Sequence, residues 1–164
     1  MCNSLFIRTE HPIKLTVEYL HDVPGSQLEY KLIEELAEVG QYKAVPVGSY
    51  LIRPGEYIRS VPIIIKGSVK IIRPGPEGRE FLLYYLGGMD TCALSLTGCL
   101  SKKCSEITAV AEKKTKLIAI PVEKVDEWMC RFSTWKQLVF QTYQKRFDNL
   151  LTTIDDVIFH KLDE

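Results

Sequence analysis

The chain has 164 residues, 21 basic and 21 acidic, and is 46% apolar. That is enough sequence for one domain with its own core. Zero net charge leaves out the basic excess with which nucleic-acid-binding domains neutralise phosphates, so any DNA reading is expected from a part not in this chain. The longest apolar runs, such as Val61 to Ile65, fall far short of a membrane span. The first residues, Met-Cys-Asn-Ser-Leu-Phe-Ile-Arg-Thr-Glu, lack the basic start and apolar core of a secretion signal. A cytoplasmic protein without membrane association is expected, with its five cysteines as reduced thiols.

Residues 1–25 are expected to form an N-terminal arm, in which Leu15, Val17 and Tyr19 alternate with polar residues either as a short strand or as an irregular cover. Ser26-Gln-Leu-Glu29 has the form of a capping box, in which a hydroxyl and a carboxylate satisfy free amides at a helix start. Leu28, Leu32, Ile33, Leu36 and Val39 follow at helical spacing, and Gly40 supplies a stop, so a helix is predicted over Gln27–Val39.

From Gln41 to Ile120 the helical period disappears and β-branched residues dominate. Strands are predicted at Gln41–Val45, Tyr50–Ile52, Val61–Lys66, Ser68–Arg73, Arg79–Leu86, Glu106–Ala111 and Lys116–Ile120. Pro46-Val-Gly48, Pro54-Gly55, Lys66-Gly-Ser68 and Pro74-Gly-Pro-Glu-Gly78 separate them at short, regular intervals, the spacing of an all-β roll or sandwich. Between the fifth and sixth strands, Gly87-Gly88 leads into Met89-Asp-Thr-Cys-Ala-Leu-Ser-Leu96 and a polar loop. Strand, turn, a single helical turn and strand would make a cradle whose backbone donors face a ligand.

Pro121 pre-sets a short amphipathic helix carrying Val122, Val125, Trp128 and Met129 and ending near Cys130. Thr134-Trp-Lys-Gln137 is a second capping box, followed by an uninterrupted helix to the end of the sequence. Along it Phe140, Tyr143, Phe147, Leu150, Ile154 and Val157 alternate at three and four residues, a coiled-coil seam. Val139, Leu151, Ile158 and Leu162 lie on an adjacent face suited to the roll. A helix apolar on two faces needs two partners, and a second copy of the same helix is the simplest second partner, making a homodimer.

The order of these elements from about Leu28 to Glu164 resembles the sensor domain of the Crp/Fnr transcription regulators. The Arg-Pro-Gly-Glu turn at Arg53–Glu56 and the hairpin Ile63-Ile-Ile-Lys-Gly-Ser-Val-Lys-Ile71 match landmarks of that family. The resemblance implies a mainly β fold with flanking helices: a cyclic-nucleotide-binding-like jelly-roll over 26–132 and a long dimerisation helix over 133–164. Nucleotide-binding members carry Gly-Glu-Leu-(Gly/Ala/Ser)-Leu and then Arg-(Ser/Thr)-Ala, the Glu accepting from ribose and the Arg pairing with the cyclic phosphate. Here Cys92-Ala-Leu-Ser-Leu96 fills the first motif, with Ala93 at the Glu position and Cys104 or Ser105 at the Arg position. Gly88, Thr91, Cys92, Ala93, Leu94, Ser95, Lys102, Lys103, Cys104 and Ser105 are therefore the cradle candidates, with Leu150 and Leu151 where such members present hydroxyls to the base.

The resemblance further implies an effector-sensing and dimerisation domain of a Crp/Fnr-type regulator, not an enzyme, with an unknown effector and no cofactor expected. The missing Glu and Arg leave no useful affinity for cAMP. DNA would be read by a helix-turn-helix domain outside this sequence. The alternative is a stand-alone cyclic-nucleotide-binding-like module acting through protein–protein contacts or a redox-sensing thiol. Cys92, Cys99 and Cys104, with six and four residues between them, do not have zinc spacing, and no metal is expected. Cys104, beside Lys102 and Lys103, is the thiol most disposed to react. Asp155 and Asp156 on the long helix read as a solvated face rather than a catalytic pair.

Overall fold

The structure is a computed structural model and describes residues 28–162, with the side chains resolved through Phe159. The arm expected over 1–25, Ser26 and the side chain of Leu162 lie outside the described residues. Helix α1 (Tyr30–Val39) precedes strands β1 (Gln41–Val45), β2 (Tyr50–Ile52), β3 (Ser60–Lys66), β4 (Val69–Pro74) and β5 (Glu80–Leu86). Helix α2 (Ala93–Ser101), strands β6 (Thr108–Ala111) and β7 (Thr115–Pro121), and helices α3 (Val122–Arg131) and α4 (Ser133–Leu162) complete the order. The strands fall within two residues of the sequence expectation at every boundary, because β-branched runs punctuated by Gly and Pro turns specify them locally.

Two antiparallel sheets, β1-β7-β3 and β2-β6-β4-β5, face each other as a jelly-roll. Successive strand side chains point to opposite faces. In β3, Val61, Ile63 and Ile65 join a core cluster with α1, α3 and α4, while Ile64 joins the cluster between the sheets. In β7, Ile118 and Ile120 take the helical side, and Leu117 and Ala119 the sheet side. Burial on both faces explains why these two strands read as continuous apolar runs rather than as alternating ones.

The helical layer closes on a tryptophan corner. Trp128 is fully buried, with its ring edge-on to Trp135 at 5.4 Å and to Phe132 at 6.5 Å. Its indole Nε1 donates to Glu35 Oε2 on α1 at 2.8 Å, and Trp135 Nε1 donates to the Val125 carbonyl at 3.2 Å. Arg131 bridges Glu35 and Glu127, so α1, α3 and the first turns of α4 are fixed to one another.

The structure revises four local expectations. Helix α1 starts at Tyr30 rather than Gln27, and Glu29 is its N-cap residue. Glu29 forms a long-range reciprocal pair instead of a local box: its backbone N–H donates to Thr134 Oγ1 at 3.1 Å, and that hydroxyl donates to Glu29 Oε2 at 3.0 Å. Thr134 accordingly sits inside α4, which begins at Ser133, and does not cap it. The single helical turn of the cradle is a nine-residue helix, α2. Finally, of the face expected to pack on the roll, Val139 is buried but Leu151 and Ile158 are exposed.

Truncating Trp128 to Ala should lower the unfolding free energy by about 3–5 kcal/mol, read from urea transitions, because the void sits where three helices meet. The hydrogen bond from Arg131 holds the Glu35 carboxyl below its ordinary 4.5, against the opposing effect of burial. A carboxyl with a depressed folded value contributes stability at neutral pH that is lost as pH falls through that value. The acid limb of stability below pH 4.5 should therefore be shallower in Arg131→Gln than in wild type, and equal limbs would contradict the pairing.

Candidate functional site

A groove of about 670 Å³ runs between α2 and α4, with Tyr84 of β5 at one end. Its walls are Ala93, Leu94 and Thr97 from α2 and Phe140, Tyr143, Gln144, Arg146, Phe147 and Leu150 from α4. No Asp or Glu lines it. Mostly apolar walls with a few polar groups are the usual make-up of a small-molecule site.

The cradle is held rigidly behind this groove. Met89 N–H donates to the Ile64 carbonyl and Ile64 N–H to the Asp90 carbonyl, which fastens the Gly87–Asp90 turn to β3. Asp90 Oδ2 accepts from Gly87 N–H at 2.9 Å, and its Oδ1 accepts from Lys145 Nζ on α4 at 2.8 Å. Thr91 Oγ1 donates to the Pro62 carbonyl at 2.8 Å. Thr97 and Tyr143 share a hydroxyl hydrogen bond of 3.1 Å across the groove.

Tyr84 controls the start of α2. Its hydroxyl lies 3.7 Å from Cys92 Sγ, at the helix N-cap. Burial, reinforced by the neighbouring Cys92, pushes its phenol well above the ordinary tyrosine range, so it stays neutral. The Arg146 guanidinium carbon sits 3.9 Å from the Tyr84 ring centroid. Arg146 Nε is buried and has no hydrogen-bond partner, and no carboxylate among the described residues pairs with its guanidinium.

The sequence-derived candidates divide into two groups. Ala93, Leu94 and Leu150 line the groove, and Cys92 and Thr91 stand behind it, buried. Ser95 is fully buried with an unpartnered hydroxyl, and Gly88 is exposed on the turn. The rest lie away from it. Lys102 is the α2 C-cap in a left-handed conformation, and Lys103 N–H bonds the Gly98 carbonyl, closing the helix end where positive charge suits its dipole. Cys104 is exposed and bridges Tyr57. Ser105 is buried, its Oγ donating to the Ile107 carbonyl at 3.0 Å and accepting from Ile107 N–H at 3.1 Å. Its backbone is bonded to Gly55 and Glu56, so it belongs to the β2–β3 connection. Leu151 is exposed outside the groove.

Phe140, Tyr143, Phe147 and Leu150, expected on the dimer seam, form one groove wall, and Ile154 and Val157 continue the stripe. Every residue from Phe147 to Phe159 is exposed. Sequence reasoning missed Tyr84, Thr97 and Arg146. Tyr84 hides within Phe-Leu-Leu-Tyr-Tyr-Leu, and Arg146 stands one turn from both Tyr143 and Leu150, the one spacing signal that could have found it. Cys99, its thiol pushed up to about 11 mainly by burial, is protonated at neutral pH. Among the described residues no cluster of His, Cys, Asp and Glu could hold a metal ion, and no helix is long and apolar enough to cross a membrane.

Comparison with known proteins places this geometry. The family model for the cyclic nucleotide-binding domain matches residues 42–131, more than half of the chain. No curated protein matches the sequence. Among solved structures, the catabolite activator protein of Thermus thermophilus superposes with a TM-score of 0.66 at 20% identity, over 86% of this chain and 63% of its own. A Crp/Fnr-family transcriptional regulator from Eubacterium rectale gives 0.68 at 23% identity, over 87% and 65%. The regulatory subunit of a cAMP-independent protein kinase A from Trypanosoma brucei gives 0.69 at 18%, over 87% and 51%. The chain thus spans between about half and two thirds of these relatives and shares their roll and the helix that follows it. By its family match and its fold, the chain belongs to the cyclic nucleotide-binding domain family.

Proposed function

We propose that this chain is the effector-sensing and dimerisation domain of a Crp/Fnr-type regulator that has given up cyclic nucleotides and senses through the groove between α2 and α4. The observation that carries the reading is the state of the cassette. Ala93 offers no acceptor at the position of the ribose-binding Glu. Of the two residues that stand for the phosphate-binding Arg, Cys104 is exposed and carries no positive charge, and Ser105 spends its hydroxyl on its own loop. The Tyr84 hydroxyl stands 3.7 Å from Cys92 Sγ, beside the start of α2, where an anion would meet backbone donors. A domain of this fold that works without cAMP has a parallel in the cAMP-independent kinase subunit of Trypanosoma brucei.

Dimerisation is supported by the exposed half of α4. Phe147, Leu150, Ile154 and Val157 lie at 44–60% exposure along a helix that stands clear of its own roll. A monomer rarely leaves such a continuous apolar stripe in water, and its three-and-four spacing fits a parallel pair of helices. Since Phe140, Phe147 and Leu150 belong to both stripe and groove, a ligand bound there would bias the helix pairing. That pairing is the two-state element that carries the signal to a DNA-reading domain.

Light scattering at micromolar concentration should give about twice the 18.8 kDa chain mass. Ile154→Glu, outside the groove, should give a folded monomer, and a monomeric wild type would remove the dimer from the account. Calorimetry with cAMP or cGMP up to about millimolar should be flat, because two charge-assisted contacts of roughly 1.5–3 kcal/mol each are missing. Ala93→Glu with Ser105→Arg and Tyr84→Phe should gain affinity over wild type, and a wild type that binds cAMP at micromolar concentration would contradict the reading.

A further inference from the structure

The polar inventory of the groove is unbalanced in one direction. Arg146 is a half-buried cation without a carboxylate among the described residues, and its Nε–H has no acceptor. The other nearby cation, Lys145, is already paired with Asp90 at 2.8 Å. Thr97 and Tyr143 satisfy each other, and no acid lines the walls. A guanidinium partly removed from water with unused donors is an unfavourable arrangement unless an acceptor completes it.

The Arg146 guanidinium carbon lies 3.9 Å over the Tyr84 ring, and none of its donors is paired with a carboxylate among the described residues. A planar fork of this kind matches a carboxylate with two parallel hydrogen bonds. A phosphate dianion is a poorer fit, since Arg146 is the single cation among the residues that line the groove. Around Arg146 the walls are apolar at Leu94 on α2 and at Phe140, Phe147 and Leu150, which span about 15 Å along α4.

We propose that the groove binds an amphipathic monocarboxylate, its acid group held by Arg146 and its aliphatic or aromatic body laid against Leu94, Phe140, Phe147 and Leu150. This rests on the reading of the groove as the effector site and names the chemistry of the effector. The acid end lies beside the α2 start and the apolar end beside the helix stripe, so longer bodies reach further along the surface on which the second copy pairs.

The test is calorimetry of the whole chain with decanoate and 4-phenylbutyrate, each set against its neutral amide. The acids should bind more tightly than the amides by about ten-fold or more. Arg146→Met, which keeps the length of the side chain, should cut acid affinity by about ten- to a hundred-fold and leave amide affinity unchanged. Retention of the wild-type thermal transition identifies this as loss of the anchor and not of the fold. Equal binding of acid and amide, or an acid affinity insensitive to Arg146→Met, overturns the carboxylate anchor while leaving an apolar effector site intact. No heat from any of the four probes up to millimolar concentration overturns the ligand class as well. Micromolar binding of cAMP is the separate outcome that removes the underlying reading.

Discussion

Tyr84 is the contact on which the site depends. Its hydroxyl covers the start of α2, and its ring is the platform for Arg146 on α4. One side chain therefore joins the roll, the cassette helix and the long helix. To admit an anion at the start of α2, Tyr84 would have to leave, and Arg146 would lose its stack, worth on the order of 0.5–2 kcal/mol. The neutral phenol, kept so by burial, brings no charge to repel a ligand acid held by the guanidinium above it.

The tryptophan corner gives that contact its geometry. Trp128 and Trp135 fix the angle at which α4 leaves α3, and Val139 carries the attachment on to the third turn of α4. Beyond Arg146 the helix makes no buried contact with its own roll. The first part of α4 is thus a wall of the groove, and the second part carries an exposed apolar stripe. The apolar side chains near the boundary, Phe147 and Leu150, belong to both.

Most of the fold was legible because its signals are local. β-branched runs closed by Gly and Pro turns place each strand, and Val61–Ile65 and Leu117–Ile120 read as unbroken apolar runs because the sheet they form is covered on both sides. Local rules failed where distant residues compete for the same group. Glu29 and Thr134 each resemble part of a capping box, yet they bond each other across 105 positions. Helix α2 is apolar without a marked face, so its length could not be read from periodicity. Ala93 in the cradle was readable in sequence, but the contact between Tyr84 and Arg146 beside it was not. Tyr84 and Arg146 meet only through the pairing of β5 with β4, where Leu83 is an extra residue opposite Ile71 and Ile72, and the packing of α4 across α2.

The central claim is that the Tyr84 hydroxyl, placed beside the α2 N-cap residue Cys92, shields the start of α2. Its most direct test is amide hydrogen exchange by NMR on wild type and Tyr84→Phe, a change that removes only the hydroxyl. The account predicts that the free amides of the first α2 turn, next to Cys92 and Tyr84, shift and exchange faster in Tyr84→Phe, Leu94 among them, while Leu96, whose N–H donates to the Cys92 carbonyl, keeps its rate. An unchanged Leu94 amide in Tyr84→Phe would mean that the hydroxyl does not cover the helix start, and the closed cassette would have to be abandoned.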